Sequence, residues 1–479
     1  LENAANLTIV EGIAAEVLTQ ENAVRGVRCL DGVEYWAPAV VLTTGTFLRG
    51  VMHLGEKQWP GGRLDEPASN ELSDSLRRLG LTVGRLKTGT PVRLAGDSID
   101  YDKLDTQPGD EEPAPFSFLN DRIDRKQIPC WITWTNPAVH ELIRANLHRA
   151  PMFSGQIKSR GPRYCPSIED KVVRFAGKDR HQVFLEPESR RTNEIYCNGI
   201  PTSLPADVQA ELVHSIRGLE RAEILRFGYA IEYDWVPPTQ LDATLQAKVC
   251  RGLFLAGQIN GTSGYEEAAG QGIVAGINAA RLAGGREPIV IGRDQAYIGV
   301  MIDDLVTRGT DEPYRMFTSR AEHRLVLRSD NADRRLTPLA ASLGVAEPER
   351  VRRLQAKEAA IAELTARLSA VRIGERTGLE LLRRPEVTVA SLARQAPSLH
   401  DQRFTREVVR QVEIEAKYQG YIALGRRQIE RFRRLEDRPI PPGLDFRSIP
   451  HLRNEAKDKF TRLRPRSIGQ AGRISGINP

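Results

Sequence analysis

Four stretches of this sequence combine residue types that can do chemistry. The first is Gly252-Leu-Phe-Leu-Ala-Gly-Gln-Ile-Asn-Gly-Thr-Ser-Gly-Tyr-Glu-Glu-Ala-Ala-Gly-Gln-Gly272, in which a buried strand runs through a Gly-rich turn into a helix. One face of that helix is small: Ala268, Gly272, Ala275, Gly276 and Ala279. A helix N-terminus placed after such a turn offers free N–H groups and the positive end of its dipole. That suits a ligand on which negative charge collects, such as the pyrimidine ring of a flavin on reduction. Many flavoproteins end this strand in Gly-Asp; here it is Gly257-Gln258, so an amide would meet the cofactor. Packing alone would account for the small helix residues but not for the Gly-rich turn.

The second stretch, Ala39-Val-Val-Leu-Thr-Thr-Gly-Thr46, is a short β-branched run closing on a Thr-Gly step, where backbone could pass close to a dinucleotide. Taken alone, it reads better as an ordinary strand followed by a Gly turn. The third is Gly161-Pro-Arg-Tyr-Cys-Pro-Ser-Ile-Glu-Asp-Lys-Val-Val-Arg-Phe175. Ser167 is an expected N-cap, with Glu169 and Asp170 as first-turn acids. Cys165 would sit just outside that helix start and near Arg163, where a thiol pKa tends to fall. The fourth is basic. Arg315, Arg320, Arg324 and Arg328 surround Tyr314 and Phe317, and six arginines face three acids between Gly425 and Pro439. Arginines with interleaved aromatics can hold phosphates and stack on bases, although a solvated helix face explains any single such run. His53, His181 and His323 show no metal-ligand spacing, and no metal is expected.

The elements that must position these residues follow from pattern. Apolar and polar residues alternate through Ile9 to Val17 and again through Val24 to Cys29, predicting strands joined by a turn at Glu21-Asn22. Val40 to Leu42 and Leu253 to Leu255 are short apolar runs bounded by Gly, as interior strands of one parallel sheet should be. Between them, from about Met52 to Val249, the sequence is Pro- and Gly-rich and reads as a loop-rich insertion. Beyond Ile291, charged helical stretches (Glu349 to Leu368, Phe404 to Phe432) alternate with breaks at Pro385 and Pro439 to Pro442. The expected fold class is therefore α/β: a Rossmann-like FAD-binding domain with a long α+β insertion, then an all-α C-terminal domain. The expected map is 1–51 and 250–290 for the FAD-binding domain, 52–249 for the insertion, and 291–479 for the helical domain.

Composition narrows the class. Over 479 residues, 40% are hydrophobic and 27% charged, which excludes disorder and calls for several domains. No apolar run is long enough to span a membrane. Five widely spaced cysteines without a Cys-x-x-Cys pair argue against a disulfide framework and suit a reducing cytosol. The formal charge of +6 permits a polyanionic partner if the basic residues cluster.

Gly161 to Lys171, Ala256-Gly-Gln-Ile-Asn-Gly-Thr262, Pro313-Tyr-Arg-Met-Phe-Thr-Ser-Arg320 and Ser467-Ile-Gly-Gln-Ala471 closely resemble the MnmG/GidA family of tRNA wobble-uridine modification enzymes. The likeness runs along the whole chain. No Gly-x-Gly-x-x-Gly occurs in it, and the resemblance implies that the family's N-terminal strand, Gly-rich loop and a second family cysteine lie outside this sequence. It further implies a cytoplasmic enzyme using FAD, NADH and methylenetetrahydrofolate to build an aminomethyl or carboxymethylaminomethyl group on uridine C5. Expected partners are tRNA, the GTPase MnmE and a second copy of the chain. Carried over by residue, Ala14, Ser69 and Gln258 would contact FAD. Gly161, Pro162, Arg163, Tyr164, Cys165, Pro166, Ser167, Ile168, Glu169, Asp170, Lys171, Val172, Val173, Arg174 and Phe175 would form the NAD-binding stretch. Cys165 would be the catalytic cysteine, acting at uracil C6 as nucleophile or protonation partner. The rival readings are a folate- and FAD-dependent tRNA uracil-C5 methyltransferase, which should lack the long helical C-terminal region, and a non-catalytic tRNA-binding protein.

Overall fold

Val40–Leu42 and Leu253–Leu255 lie side by side as parallel strands, with Val40 opposite Leu253 and Leu42 opposite Leu255. Leu253, Phe254 and Leu255 are all fully buried, which is why this strand reads as a continuous apolar run rather than an alternating one. The computed structural model describes residues 3–163 and 166–477. Contacts divide the chain into two units. One comprises Leu1–Pro113, Asp124–Ile289 and Arg308–Arg315; the other comprises Ala114–Ile123, Val290–Thr307 and Met316–Pro479.

The first unit opens with an antiparallel sheet of β1 (Ala14–Gln20), β2 (Ala23–Cys29) and β3 (Glu34–Trp36). The strand expected from Ile9 starts only at Ala14; Ile9 and Val10 are exposed and pair with nothing regular. After β4 (Val40–Leu42), the stretch expected as a loop-rich α+β insertion holds two antiparallel sheets. β5 (Val51–Leu54), β6 (Lys57–Pro60), α1 (Glu71–Arg78) and β7 (Gly84–Thr90) come first, then β8 (Arg93–Ala95), β9 (Asp105–Gln107), β10 (Cys130–Trp134), α2 (Pro137–Ala145) and α3 (Ile168–Arg174). β11 (Gln182–Pro187), β12 (Glu194–Asn198), α4 (Ala206–His214), β13 (Ile224–Arg226) and β14 (Tyr229–Trp235) complete them. The larger sheet has the order β13-β8-β12-β11-β10-β9 and the smaller β6-β5-β14-β7. Val139, Ile143, Ile168 and Val172 from α2 and α3 pack on Val183, Leu185, Ile195 and Cys197 of the larger sheet.

β14 shows how period two is used here. Ile231, Tyr233 and Trp235 form an apolar face, while Glu232 and Asp234 alternate onto the other. Asp234 is fully buried and is matched by Arg85 at 2.9 Å, Arg77 at 3.0 Å and the Ser73 hydroxyl, which locks α1 onto this sheet. β15 (Leu253–Leu255) then leads to the 19-residue α5 (Tyr265–Ala283).

The second unit is helical: α6 (Tyr297–Arg308), α7 (Ala332–Ser342), α8 (Pro348–Ala370), α9 (Gly378–Leu382), α10 (Val389–Ala393), α11 (Arg406–Lys417), α12 (Gln419–Glu436), α13 (Asn454–Leu463) and α14 (Ile468–Arg473), with a two-residue hairpin, β16 (Arg372–Ile373) and β17 (Arg376–Thr377), between α8 and α9. Ile361, Leu364 and Leu368 of α8 meet Val408 and Val412 of α11 in one core. The stretch expected as one helix from Phe404 is broken at Tyr418 into α11 and α12. Two segments depart from the expected map. Residues 114–123 join the helical unit because Phe118 lies under the Lys357 ammonium and Asp121 pairs with Arg353. Residues 308–315 join the first unit, where the Tyr314 N–H donates to the Gly261 carbonyl at 2.7 Å.

Candidate functional site

Turn geometry builds the site. At the end of β4 the chain turns through Gly45 at φ +56°, a left-handed conformation that a side chain would strain. At the end of β15 it turns through Gly261, at φ +75°, where a Cβ would also come within 2.9 Å of the Trp235 ring. These two turns face each other across a cavity lined by Thr43, Gly45, Gly257, Gln258, Thr262, Ser263 and Gly264.

A buried amide network holds the second turn. The Gln271 side chain, from α5, accepts from the Gly257 N–H at 3.0 Å and from Asn260 Nδ2 at 2.9 Å, and donates to Thr262 Oγ1 at 2.9 Å. Asn260 also donates to the Leu255 carbonyl at 2.7 Å, so strand, turn and helix share one set of hydrogen bonds. Gln271 and Asn260 are 0% exposed. Nothing in the local spacing singled them out; the available signal was two amides inside an otherwise small-residue motif.

The N-terminus of α5 opens onto this place. Its N-cap is Gly264, which has no side chain to satisfy the first-turn N–H groups. Gln258 continues the wall into a larger cavity of about 720 Å³, lined also by Thr46, Arg63, Thr88, Arg93, Pro162, Pro166, Lys171, Tyr196, Tyr229, Tyr265 and Arg315. Beneath Gln258 lies Tyr233, whose hydroxyl is pushed up to about 12 by burial, with Gln258 opposing the shift.

The residues expected at the site fall into three groups. Ala14 and Ser69 come together, the Ser69 hydroxyl donating to the Ala14 carbonyl at 2.8 Å, and neither lines either cavity. Gln258 stands at the junction of the cavities. Of the Gly161 to Phe175 stretch, Pro162, Pro166 and Lys171 line the larger cavity, and Lys171 Nζ donates to the Gly199 carbonyl at 2.6 Å. Ser167 caps α3 by accepting from the Asp170 N–H at 3.3 Å. Ile168 and Val172 face the core, whereas Arg163, Val173, Arg174 and Phe175 are exposed. Glu169 points inward and accepts from Thr202 Oγ1 at 2.9 Å and the Ser203 N–H at 3.0 Å. Asp170 pairs with Arg174 at 3.9 Å. Tyr164 and Cys165 lie outside the described residues. α3 itself has only seven residues.

Lys87 was not anticipated. It is buried directly behind Gly161, where a Cβ would lie 3.1 Å from the lysine Cδ. Burial pushes its ammonium pKa down, against the pull of Glu169 and Asp170. The basic cluster around Tyr314 is divided: Tyr314 and Arg315 belong to the first unit, with Arg315 3.5 Å from Glu267, and Phe317, Arg320, Arg324 and Arg328 to the second.

With this geometry established, comparison with known proteins is informative. Residues 1–287 match the family model described as glucose inhibited division protein A. Residues 348–424 and 428–479 match the C-terminal helical domain and C-terminal helical bundle of the tRNA modifying enzyme MnmG/GidA. The chain is 55% identical over 459 residues to the tRNA uridine 5-carboxymethylaminomethyl modification enzyme MnmG of Rhodopirellula baltica, covering 95% of this chain and 70% of that protein. It is 49% identical over 501 residues to the MnmG of Streptococcus thermophilus, covering 100% of this chain and 79% of that one. The Aquifex aeolicus GidA structure in its form II crystal superposes with a TM-score of 0.92 at 47% identity, over 100% of this chain and 79% of that one.

Proposed function

Since the chain belongs to the MnmG/GidA family of tRNA-modifying flavoenzymes, we propose that it builds an aminomethyl or carboxymethylaminomethyl group on C5 of the wobble uridine of tRNA. In this reading FAD is the resident cofactor, NADH its reductant and methylenetetrahydrofolate the one-carbon donor. The enzyme works in the cytoplasm with the GTPase MnmE and as a homodimer. The matches to the C-terminal helical models weigh against the folate-dependent methyltransferase reading, which expects no such region.

One observation carries the reading: the uncapped N-terminus of α5 and the amide of Gln258 meet at the cavity enclosed by the two Gly turns. Neutral N–H donors of this kind fit the pyrimidine edge of a flavin, which gains negative charge on reduction. FAD, when bound, supplies the redox chemistry. The chain's own part is to hold the cofactor through these donors, to keep the turn rigid through Gln271, and to wall the larger cavity with Pro162, Pro166 and Lys171 on the nicotinamide and substrate side. Ala14 and Ser69, joined by their own hydrogen bond, form a second contact with the cofactor.

Uracil C5 is a weak nucleophile until something adds at C6, and Cys165 is assigned that role, as nucleophile or proton donor. Replacing it, Cys165→Ser, should leave folding and bound flavin near normal while lowering single-turnover tRNA modification, normalised to flavin, by a factor of at least about 100. A rate within a few-fold of the unaltered enzyme would remove Cys165 from the chemistry.

A further inference from the structure

Two arginines of the helical unit differ from their neighbours. Arg328 is neutralised by Asp330 at 3.0 Å, and Arg320 lies 3.6 Å from Asp304. Arg335 instead gives its hydrogen bonds to neutral oxygens: Asn331 Oδ1 at 2.9 Å, the Arg328 carbonyl at 3.0 Å and the Gln295 carbonyl. Burial first, and then the adjacent Arg328, push its pKa down against the opposing pull of Asp330 and Asp333, neither of which it hydrogen-bonds. Arg324 is exposed and makes no ion pair or hydrogen bond among the described residues. Both line one groove of about 700 Å³, within the range of roughly 300–1,000 Å³ found for ligand-sized clefts. Its other walls include Tyr297, Ile298, Leu325 and Leu336.

We propose that this groove is an RNA subsite that seats one unstacked nucleotide of the tRNA, with the base against Tyr297 and the leucines and the phosphate between Arg324 and Arg335. The argument is complementarity. An apolar wall carrying an aromatic ring, with Arg324 and Arg335 at its rim unpaired with any carboxylate, matches a ligand that is flat and apolar at one end and anionic at the other. Unstacked bases in RNA loops present that combination, and proteins take them by stacking while arginines hold the backbone. A purely electrostatic docking face would need no apolar wall, and an acidic peptide would leave the ring unused. The division of the basic cluster gives the groove its place. Arg315 lines the cavity of the first unit, and of the cluster's arginines in the second unit Arg324 is the one without an ion pair or hydrogen bond among the described residues.

The proposal rests on the reading that tRNA is the substrate, and the test separates the two. Fluorescence anisotropy with an unmodified tRNA transcript would be measured on the full-length protein across a range of salt. Arg324→Ala should weaken binding about tenfold and lower the salt slope by about one, as loss of one phosphate contact does. Arg324→Lys should recover most of the loss. Ser329→Trp, an exposed groove position filled by a bulky ring, should weaken binding by a similar factor with the slope unchanged. If the unaltered protein binds tRNA and both Arg324→Ala and Ser329→Trp match it within twofold, the subsite is refuted and the function stands. If Ser329→Trp alone is neutral, the seated base is refuted and a bare phosphate contact remains. If the unaltered protein binds no tRNA, both readings fall.

Discussion

Each unit contains a polar network centred on buried side chains, and the two are built from opposite materials. In the first, Gln271, Asn260, Thr262 and the Gly257 N–H exchange hydrogen bonds without a single charge. In the second, Arg293, 4% exposed, meets Asp304 at 2.7 Å, Asp303 at 3.2 Å and both oxygens of Glu322 at 2.8 and 2.9 Å. Arg473 from α14 extends it through Asp303 at 2.7 Å and through Glu436 of α12. The ionic network ties four separate segments into one helical unit, and nothing there needs to change charge. The amide network sits beside the cavity where a redox cofactor is proposed. There a fixed charge would bias the cofactor's oxidation state; neutral donors hold the turn and leave that bias to the helix end and to the Glu267–Arg315 pair at its first turn.

Truncating the charged network should do the most damage. Arg293→Ala leaves the buried Asp304 with only the more distant Arg320, at 3.6 Å, and should cost about 3 kcal/mol of stability, read by urea denaturation. A loss below about 1 kcal/mol would mean that the network is ornamental and that the contrast between units is empty. In the amide network, Gln271→Leu keeps approximate volume and removes three hydrogen-bonding partners, for about 1–3 kcal/mol. Bound flavin, measured by absorbance near 450 nm, should fall with it; unchanged flavin content would show that the turn's shape does not matter to the cofactor.

Acid should separate the networks more gently. Burial would raise the Glu322 pKa, but the hydrogen bond and charge of Arg293 win and hold it below the usual 4.5. Its contribution is present above that value and is lost as pH falls through the depressed folded pKa. His323, whose ring nitrogens find no hydrogen-bond partner among the described residues and which meets Phe432 edge-on at 5.7 Å, has its pKa lowered by burial below 6.5. The unfolded chain therefore takes up that proton first, and acid instability of the helical unit should begin below about pH 6.5 and deepen below about pH 4.5. Hydrogen exchange at the 257–262 turn should show no matching transition, since no amide titrates there. A shared transition would mean that the two networks respond as one.

How legible all this was in the sequence depended on range. Ser167 as an N-cap, the long helix at Pro348–Ala370 and the parallel partners Val40–Leu42 and Leu253–Leu255 were readable because a cap, a helical stripe and a fully buried strand each write themselves into a few neighbouring residues. The sheets between Met52 and Val249 were not. β8 has three residues and takes partners from β12 and β13, and β5 pairs with β14, so short strands interrupted by Pro and Gly give no local sign of their ladders. Glu169 was legible as a first-turn acid but not as a buried one, because its partners, Thr202 and Ser203, lie far along the chain. Gln271 and Lys87 escaped for the same reason: a buried polar side chain is defined by what closes around it.

The pairing of β4 with β15 also has a consequence for the order in which the protein folds. These strands are separated by roughly 200 residues. For a flexible chain, closing such a loop costs about 2–3 kcal/mol more than closing one of a dozen residues, and three backbone positions per strand return little until the closure is complete. The intervening antiparallel sheets relieve this. Once β14 has joined β5 and β7, Leu48 and Asp234 are already bonded backbone to backbone at 2.7 Å, and Val236 reaches Ile259 at 2.7 Å. The ends of the long loop are then a few residues from their partners. The two Gly turns that make the cavity would accordingly be among the last parts of the first unit to meet, assembled on an insertion that has already formed.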